Sequence, residues 1–345
     1  MAVGVDSARL PGDDGVPTPI NTPNAGDARV KNIHIAAAQF EGRNGDKEYN
    51  LTVMASLVQK AAAQGAQVVS FHEVCIPNYS FMRRSSREQL LEFAEPVPDG
   101  PSTQRLMDLS SAHGVAVLAG LVEVDGDRLY NTYVCVDGDR FVARHRKIHA
   151  FINPHISCGN EFSTFDLRGW CCSILTCYDN NLPENVREVA LMGADMVFMP
   201  HVTCCLDWGI PGAGEVDRNV WERRYEDPVT CRFEFTGLKA RAWLMKWLPA
   251  RAYDNGIYVV FSNPIGVDDD QVRNGNAMII DPYGDIIAEC HTLGDDVVVG
   301  LCAPDKFEKA LGRAFIAARR PQIYRKLLEA PEKEPVIDPG WDMGA

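Results

Sequence analysis

Cys171-Cys-Ser-Ile-Leu-Thr-Cys-Tyr-Asp-Asn-Asn-Leu-Pro-Glu-Asn-Val-Arg-Glu-Val-Ala-Leu-Met-Gly-Ala-Asp-Met-Val-Phe-Met199 is the stretch whose reading decides the fold. Residues 171–176 form a short apolar run that reads as a buried strand, and the run stops at Cys177. Pro183 then opens a helix over 183–192, where its missing N–H costs nothing. Residues 195–199 are a second apolar strand. Strand, helix and strand in succession point to an α/β architecture.

The alternation extends outward. The spacing predicts a strand over 30–40, a helix over 46–63 with Leu51, Met54, Leu57 and Val58 near one face, and a strand over 67–71. A helix over 101–113 has Pro101 at its start and Gly114 past its end. A strand follows over 115–124, and residues 130–136 and 140–144 flank the turn Asp137-Gly-Asp139 as a hairpin. Further on are a helix over 238–255, a strand over 257–261, a hairpin of 277–281 with 285–290 across Pro282-Tyr-Gly284, and a strand over 297–301 before a helical C-terminal region. The mixture of alternating units and antiparallel hairpins predicts an α/β sandwich of layered sheets. Residues 201–236 read as one long irregular stretch. No linker divides residues 30–330, which are expected to form a single domain between a flexible tail at 1–29 and an extension at 331–345.

Composition limits the function. The chain has 345 residues, 46% of them hydrophobic, enough for a sizeable core. It carries 47 acidic and 34 basic side chains, a net charge of −13, with no dense Lys/Arg run. That balance argues against nucleic acid or an anionic membrane surface as a partner. No apolar run reaches the roughly 18 residues of a membrane span. The first 29 residues lack the basic and apolar regions of a secretory signal, so the expected location is cytoplasmic. Eleven cysteines without a C-x-x-C pair read mostly as reduced, buried, small hydrophobes, with no metal site expected.

Three residues are placed for chemistry. Glu73 follows the strand Val68-Val-Ser-Phe71, where partial desolvation makes a carboxylate a better base. Cys177 stands at a strand-to-loop transition, and the peptide N–H of Tyr178 can point at the same space to meet an oxyanion. Lys147 lies in Arg144-His-Arg-Lys-Ile-His149, where strand alternation puts His145 and Lys147 on one face and Arg144 and Arg146 on the other.

Together these segments resemble the carbon–nitrogen hydrolase (nitrilase) superfamily. Glu73, Lys147 and Cys177 occur in that order, 74 and then 30 residues apart. The local motifs also match: His72-Glu73, Arg146-Lys-Ile-His149, Leu175-Thr-Cys-Tyr-Asp179 followed by Pro183-Glu184, and Ala190-Leu-Met-Gly-Ala-Asp195. Arg251-Ala-Tyr-Asp-Asn255, Tyr258-Val-Val-Phe-Ser-Asn263, Gly275-Asn-Ala277 and Arg319-Arg-Pro-Gln-Ile-Tyr324 carry the likeness to about residue 330. The resemblance implies an α-β-β-α sandwich that pairs into four layers, a Glu-Lys-Cys triad, no metal or organic cofactor, and a homodimer or higher homo-oligomer. It also implies two-step acyl transfer with Cys177 as nucleophile, Glu73 as base, and Lys147 with the Tyr178 N–H at the oxyanion.

The pair after the nucleophile, Tyr178-Asp179, is similar to the amidase, carbamoylase and omega-amidase branches, so amide or N-carbamoyl substrates are expected ahead of nitriles. One departure stands out. Amidase-type members often carry a second glutamate between lysine and cysteine, but residues 151–159 contain no carboxylate, Glu161 lies later, and His155 or Asn153 are the alternatives. Tyr79, His201, Trp208 and the 201–236 stretch are candidates for the pocket rim by position. Arg218, Arg223 and Arg224 read either as anion receivers or, preferably, as a solvated or subunit-contact face.

Overall fold

The computed structural model describes residues 30–207 and 211–329. Within them the chain runs β1 (Ile33–Gln39), α1 (Lys47–Ala63), β2 (Val68–Ser70), α2 (Arg87–Phe93), α3 (Pro101–His113), β3 (Ala116–Asp125), β4 (Arg128–Asp137) and β5 (Arg140–Arg146). Two short strands, β6 (Ile156–Ser157) and β7 (Phe165–Leu167), lead to β8 (Trp170–Ile174), α4 (Pro183–Leu191) and β9 (Met196–Pro200). Next come α5 (Arg218–Glu222), α6 (Pro228–Thr236), α7 (Arg241–Leu244), α8 (Leu248–Tyr253) and β10 (Tyr258–Ser262). The described chain finishes with the hairpin β11 (Ile265–Asp268) and β12 (Gln271–Asn274), then β13 (Met278–Ile280), β14 (Ile286–Glu289), β15 (Asp296–Cys302) and α9 (Leu311–Ala317). The tail expected at 1–29 and the extension at 331–345 lie outside the described residues.

Two sheets form. One has the order β15-β1-β2-β3-β4-β5 with β6 beside β4, and the other β14-β13-β10-β9-β8-β7. In each, three central strands run parallel: β1, β2 and β3 in the first, β8, β9 and β10 in the second. Parallel centres are covered on both faces, which is why Val68–Ser70 and Met196–Pro200 are buried at every position and read as unbroken runs. Helices α1 and α3 cover the outside of the first sheet, where Met54, Val58 and Leu106 pack with Ala36, Val69 and Phe71. Helices α4 and α6–α8 cover the second, where Val186, Phe235 and Leu248 pack with Val197 and Val259. A fully buried side chain such as Met54 or Phe71 contributes about 1.5–3 kcal/mol by leaving water. The inner faces meet directly, and Ser262 Oγ donates to the Ser70 carbonyl at 2.9 Å from one sheet to the other. The layer order is therefore α-β-β-α, as expected.

Three sequence expectations change. Residues 201–236 are not one irregular stretch: Asp217 caps α5 and Asp227 caps α6, each side chain accepting a first-turn N–H. Trp221, Cys231 and Phe235 then enter the core. The single helix expected over 238–255 is two, because Pro249 has no N–H to continue an earlier helix and instead stands in the first turn of α8. The hairpin β11–β12 and helix α2 were not anticipated.

Candidate active site

A cavity of about 610 Å³ opens where the chain leaves β5, β8 and β9, and its wall includes Tyr79, Phe151, Cys177, Tyr178, Val202 and Arg273. Of Glu73, Lys147 and Cys177 only Cys177 lines it, and none of the three lines a second cavity of about 180 Å³ beside Arg187 and Arg251.

Glu73 is delivered by the turn after β2 and is wholly buried. The turn presses close to β3: a Cβ on Gly120 would stand 2.2 Å from the Val74 nitrogen, so only glycine admits it. Val74 itself takes the left-handed conformation, φ 46°. Glu73 Oε1 accepts from Lys147 Nζ at 2.7 Å and from Asn131 Nδ2 at 2.6 Å. Its other oxygen, Oε2, has no nitrogen or oxygen partner.

Lys147 leaves the end of β5 and is 1% exposed. Its peptide N–H donates to the Asn131 carbonyl at 2.8 Å and its carbonyl accepts from Gly159 at 2.8 Å, so the backbone is held on both sides. The ammonium lies 4.6 Å from the Phe151 ring centroid and 5.6 Å from that of Tyr79. Burial alone would lower its pKa, but Glu73, Tyr79 and Cys177 outweigh burial and hold it well above the ordinary value. A buried ion pair with such geometry is weak evidence for stability, because desolvation offsets most of its attraction.

Cys177 follows β8 with φ 51° and opens a single 3-10 turn, Cys177–Asn180. Its thiol donates to the Val202 carbonyl at 3.8 Å. Burial, then the negative charge of Glu73, push the thiol pKa up to about 12 against the opposing pull of Lys147. A sulfur so placed is a thiol near neutral pH and would need a base in order to attack a carbonyl. The carboxylate that raises the pKa is also the group able to take the proton.

Asp179 belongs to this turn and has no exposure. Burial would raise its pKa, but hydrogen bonds from His145 and His149 hold the carboxyl well below the usual range.

The other expected site residues divide. Tyr79 and Tyr178 line the cavity, and His155 stands exposed at its rim. His201 does not line it. Its ring is buried behind the wall between Trp247 and Phe261, paired with Asn180 Nδ2 at 3.1 Å, and burial lowers its pKa to about 3. Asn153 is spent on structure: its amide donates to the Met82 and Ser85 carbonyls at 2.8 and 2.9 Å and pins the loop. Glu161 and Arg218, Arg223 and Arg224 are off the cavity wall, and Trp208 lies outside the described residues. Asn131 was missed, although it holds both Glu73 and Lys147; a lone Asn inside a strand carries no signal in one sequence. Buried Arg273 was also missed. It pairs with Asp268 at 3.2 Å and donates to Ser80 Oγ at 2.9 Å and the Cys204 carbonyl at 3.1 Å.

Comparison with known proteins agrees with this fold. The profile of the family described as Carbon-nitrogen hydrolase matches residues 34–309. A nitrilase of Pyrococcus abyssi is 34% identical over 171 residues, which span 49% of this chain and 64% of that protein. An (R)-stereoselective amidase of a Pseudomonas species is 28% identical over 260 residues, 74% of this chain and 80% of the relative. Among solved structures, an amidase of the nitrilase superfamily from Nesterenkonia superposes with a TM-score of 0.65 at 20% identity, covering 87% of this chain and 98% of that one, a likeness of fold. With the matched region covering most of its length, the chain belongs to the carbon–nitrogen hydrolase family.

Proposed function

We propose that the chain is a thiol amidohydrolase that cleaves the C–N bond of a small carboxamide or N-carbamoyl compound through a thioester on Cys177. The observation that carries this reading is the buried Glu73–Lys147 pair at 2.7 Å beside a protonated thiol on the cavity wall. Glu73 takes the thiol proton as sulfur bonds to the carbonyl carbon. The oxyanion forms against the Lys147 ammonium and the Tyr178 N–H, a kind of contact worth about 3–4 kcal/mol per donor in the transition state. The tetrahedral centre collapses, the C–N bond breaks, and Glu73 returns its proton to the departing nitrogen. Water, deprotonated by Glu73, then attacks the thioester, and thiol and acid are released. Tyr79, which stays a phenol because burial raises its pKa well above the ordinary value, packs beside the ammonium and shields it from water.

Amide and carbamoyl substrates agree with the names of several relatives, which include an (R)-stereoselective amidase and an N-carbamoylputrescine amidase of Solanum lycopersicum. The nitrilase relative keeps nitriles as the second reading. An ammonia-release screen over amides, N-carbamoyl amines and matched nitriles, with Cys177→Ala as control, decides between them. Turnover of nitriles alone would replace the amidase reading, and undiminished turnover by Cys177→Ala would remove the mechanism. Homo-oligomerisation belongs to the same proposal and is supported by exposed apolar side chains such as Val229, Phe233 and Phe315; light scattering tests it. Among the described residues no helix is long and apolar enough to cross a membrane. Cytoplasmic residence is likewise proposed, and cell fractionation tests it.

A further inference from the structure

We propose that Asp179 is a positioning residue that sets the separation between the Lys147 ammonium and the Cys177 thiol. This inference rests on the proposed reading of those two residues as the reactive pair.

The argument begins with topology. Lys147 follows β5 of the first sheet, and Cys177 follows β8 of the second. No ladder of hydrogen bonds joins these two strands. Apolar contact between sheet faces is non-directional, and the Ser262–Ser70 hydrogen bond that crosses them lies on other strands, so neither fixes this distance directly. A directional link is required, and the Asp179 carboxylate supplies one. Its Oδ2 accepts from the Thr176 N–H at 3.2 Å, the residue just before the nucleophile. The same oxygen accepts from the Ile148 N–H at 3.2 Å, the residue just after the lysine, and from His145 Nε2 at 3.1 Å. Oδ1 accepts from the His149 N–H at 2.8 Å and from His149 Nδ1 at 2.9 Å.

One side chain thus collects three peptide N–H groups and two imidazoles from the segments that carry the two reactive groups. The lever is short, since Asp179 is two residues from Cys177. Its own N–H donates to the Thr176 carbonyl at 3.1 Å, and its carbonyl accepts from Asn185 Nδ2 at 2.9 Å, so α4 braces the turn from below. The clamp also reaches the proposed oxyanion donor, because the His149 ring meets the Tyr178 ring edge to face at 6.0 Å. Five donors converge on two oxygens. An asparagine in this place offers one acceptor oxygen and sets an NH₂ against N–H groups, so the shape survives while the clamp fails.

The test compares the full-length chain with Asp179→Asn and Asp179→Glu. It measures kcat and KM for ammonia release and the rate at which iodoacetamide alkylates Cys177, read on the Cys177 peptide by mass spectrometry. The expected result for Asp179→Asn is a kcat about 50-fold lower, KM within about threefold, and alkylation about tenfold slower in a chain that still shows native circular dichroism. Asp179→Glu, which keeps the charge with one more methylene, should fall between. Retention of kcat and alkylation rate within about twofold, or a loss confined to the melting temperature, overturns the proposal. Should Asp179→Asn fail to fold, His149→Phe removes one contact and keeps the ring. A kcat about fivefold lower then supports the clamp, and an unchanged kcat overturns it. If the parent chain releases ammonia from no amide, the functional reading falls, while the alkylation comparison still decides the role of Asp179.

Discussion

The buried cluster behind the cavity wall and the mouth of the cavity are built by opposite means. In the cluster, Glu73, Lys147, Cys177 and Asp179 are all buried, only Cys177 among them reaches the cavity wall, and partners from separate segments hold them. At the mouth, Arg83 and Arg84 from a 3-10 turn pair with Asp269 and Asp270 at the tip of the β11–β12 hairpin. Arg84 and Asp270 are exposed, to 63% and 49%, and Asp269 is half-buried. Charges in water are screened and their pairs shift at little cost, whereas a buried charge that loses its partner is left uncompensated. The contrast teaches where rigidity is needed. Reacting atoms must meet within a few tenths of an ångström, while the mouth has only to admit and release.

Mutations can break that contrast, beginning with the sulfur. Cys177→Ala should abolish ammonia release with the fold retained, and any residual turnover at the parental rate would show that the chemistry lies elsewhere. Glu73→Gln should lower kcat by about 10²–10⁴. It carries a second signature with a definite sign. Glu73 raises the Cys177 pKa from its position beside the thiol, so removing its charge should lower that pKa below about 12 even as activity collapses. The pH dependence of Cys177 alkylation measures this, and a midpoint that stays or climbs contradicts the assignment. Gly120→Ala should cost roughly 1–3 kcal/mol of stability, because its Cβ would strike the Val74 backbone, and it should reduce kcat by displacing Glu73. Chemical denaturation together with kinetics reads both.

Acid sharpens the same contrast. The folded Asp179 pKa is depressed, so its contribution to stability is present above the unfolded carboxylate pKa of about 4 and is lost as pH falls below it. Asp179→Asn should flatten that acid limb of the stability curve. Smallest of all, Arg83→Ala at the mouth should change KM by no more than about threefold, and less in high salt. A loss there as large as that of Glu73→Gln would erase the distinction between the two regions.

Much of this was legible in the sequence because strand ends announce themselves. Val68–Ser70 and Trp170–Ile174 are buried runs that stop abruptly, and Glu73 and Cys177 lie just beyond. Lys147 was placed by alternation: His145 and Lys147 are buried while Arg144 and Arg146 turn outward to Glu123. What escaped depended on distant partners. Asp269 and Asp270 carry no local signal, because the arginines that pair with them are more than 180 residues away. Helix α2 did carry a local signal, the reciprocal Ser86 and Gln89 capping box, which was overlooked. His201 was misplaced because position in a chain cannot say which side of a wall a ring takes.

Cys177 adopts a backbone conformation that L-residues bearing a Cβ resist, at a cost of about 1–2 kcal/mol. The fold tolerates that conformation where the thiol must project into the cavity, and glycine would accept it freely. Cys177→Gly should therefore unfold at or above the temperature of Cys177→Ala, although both are inert. On the proposed reading of Cys177 as the nucleophile, turnover and durability compete at this single residue.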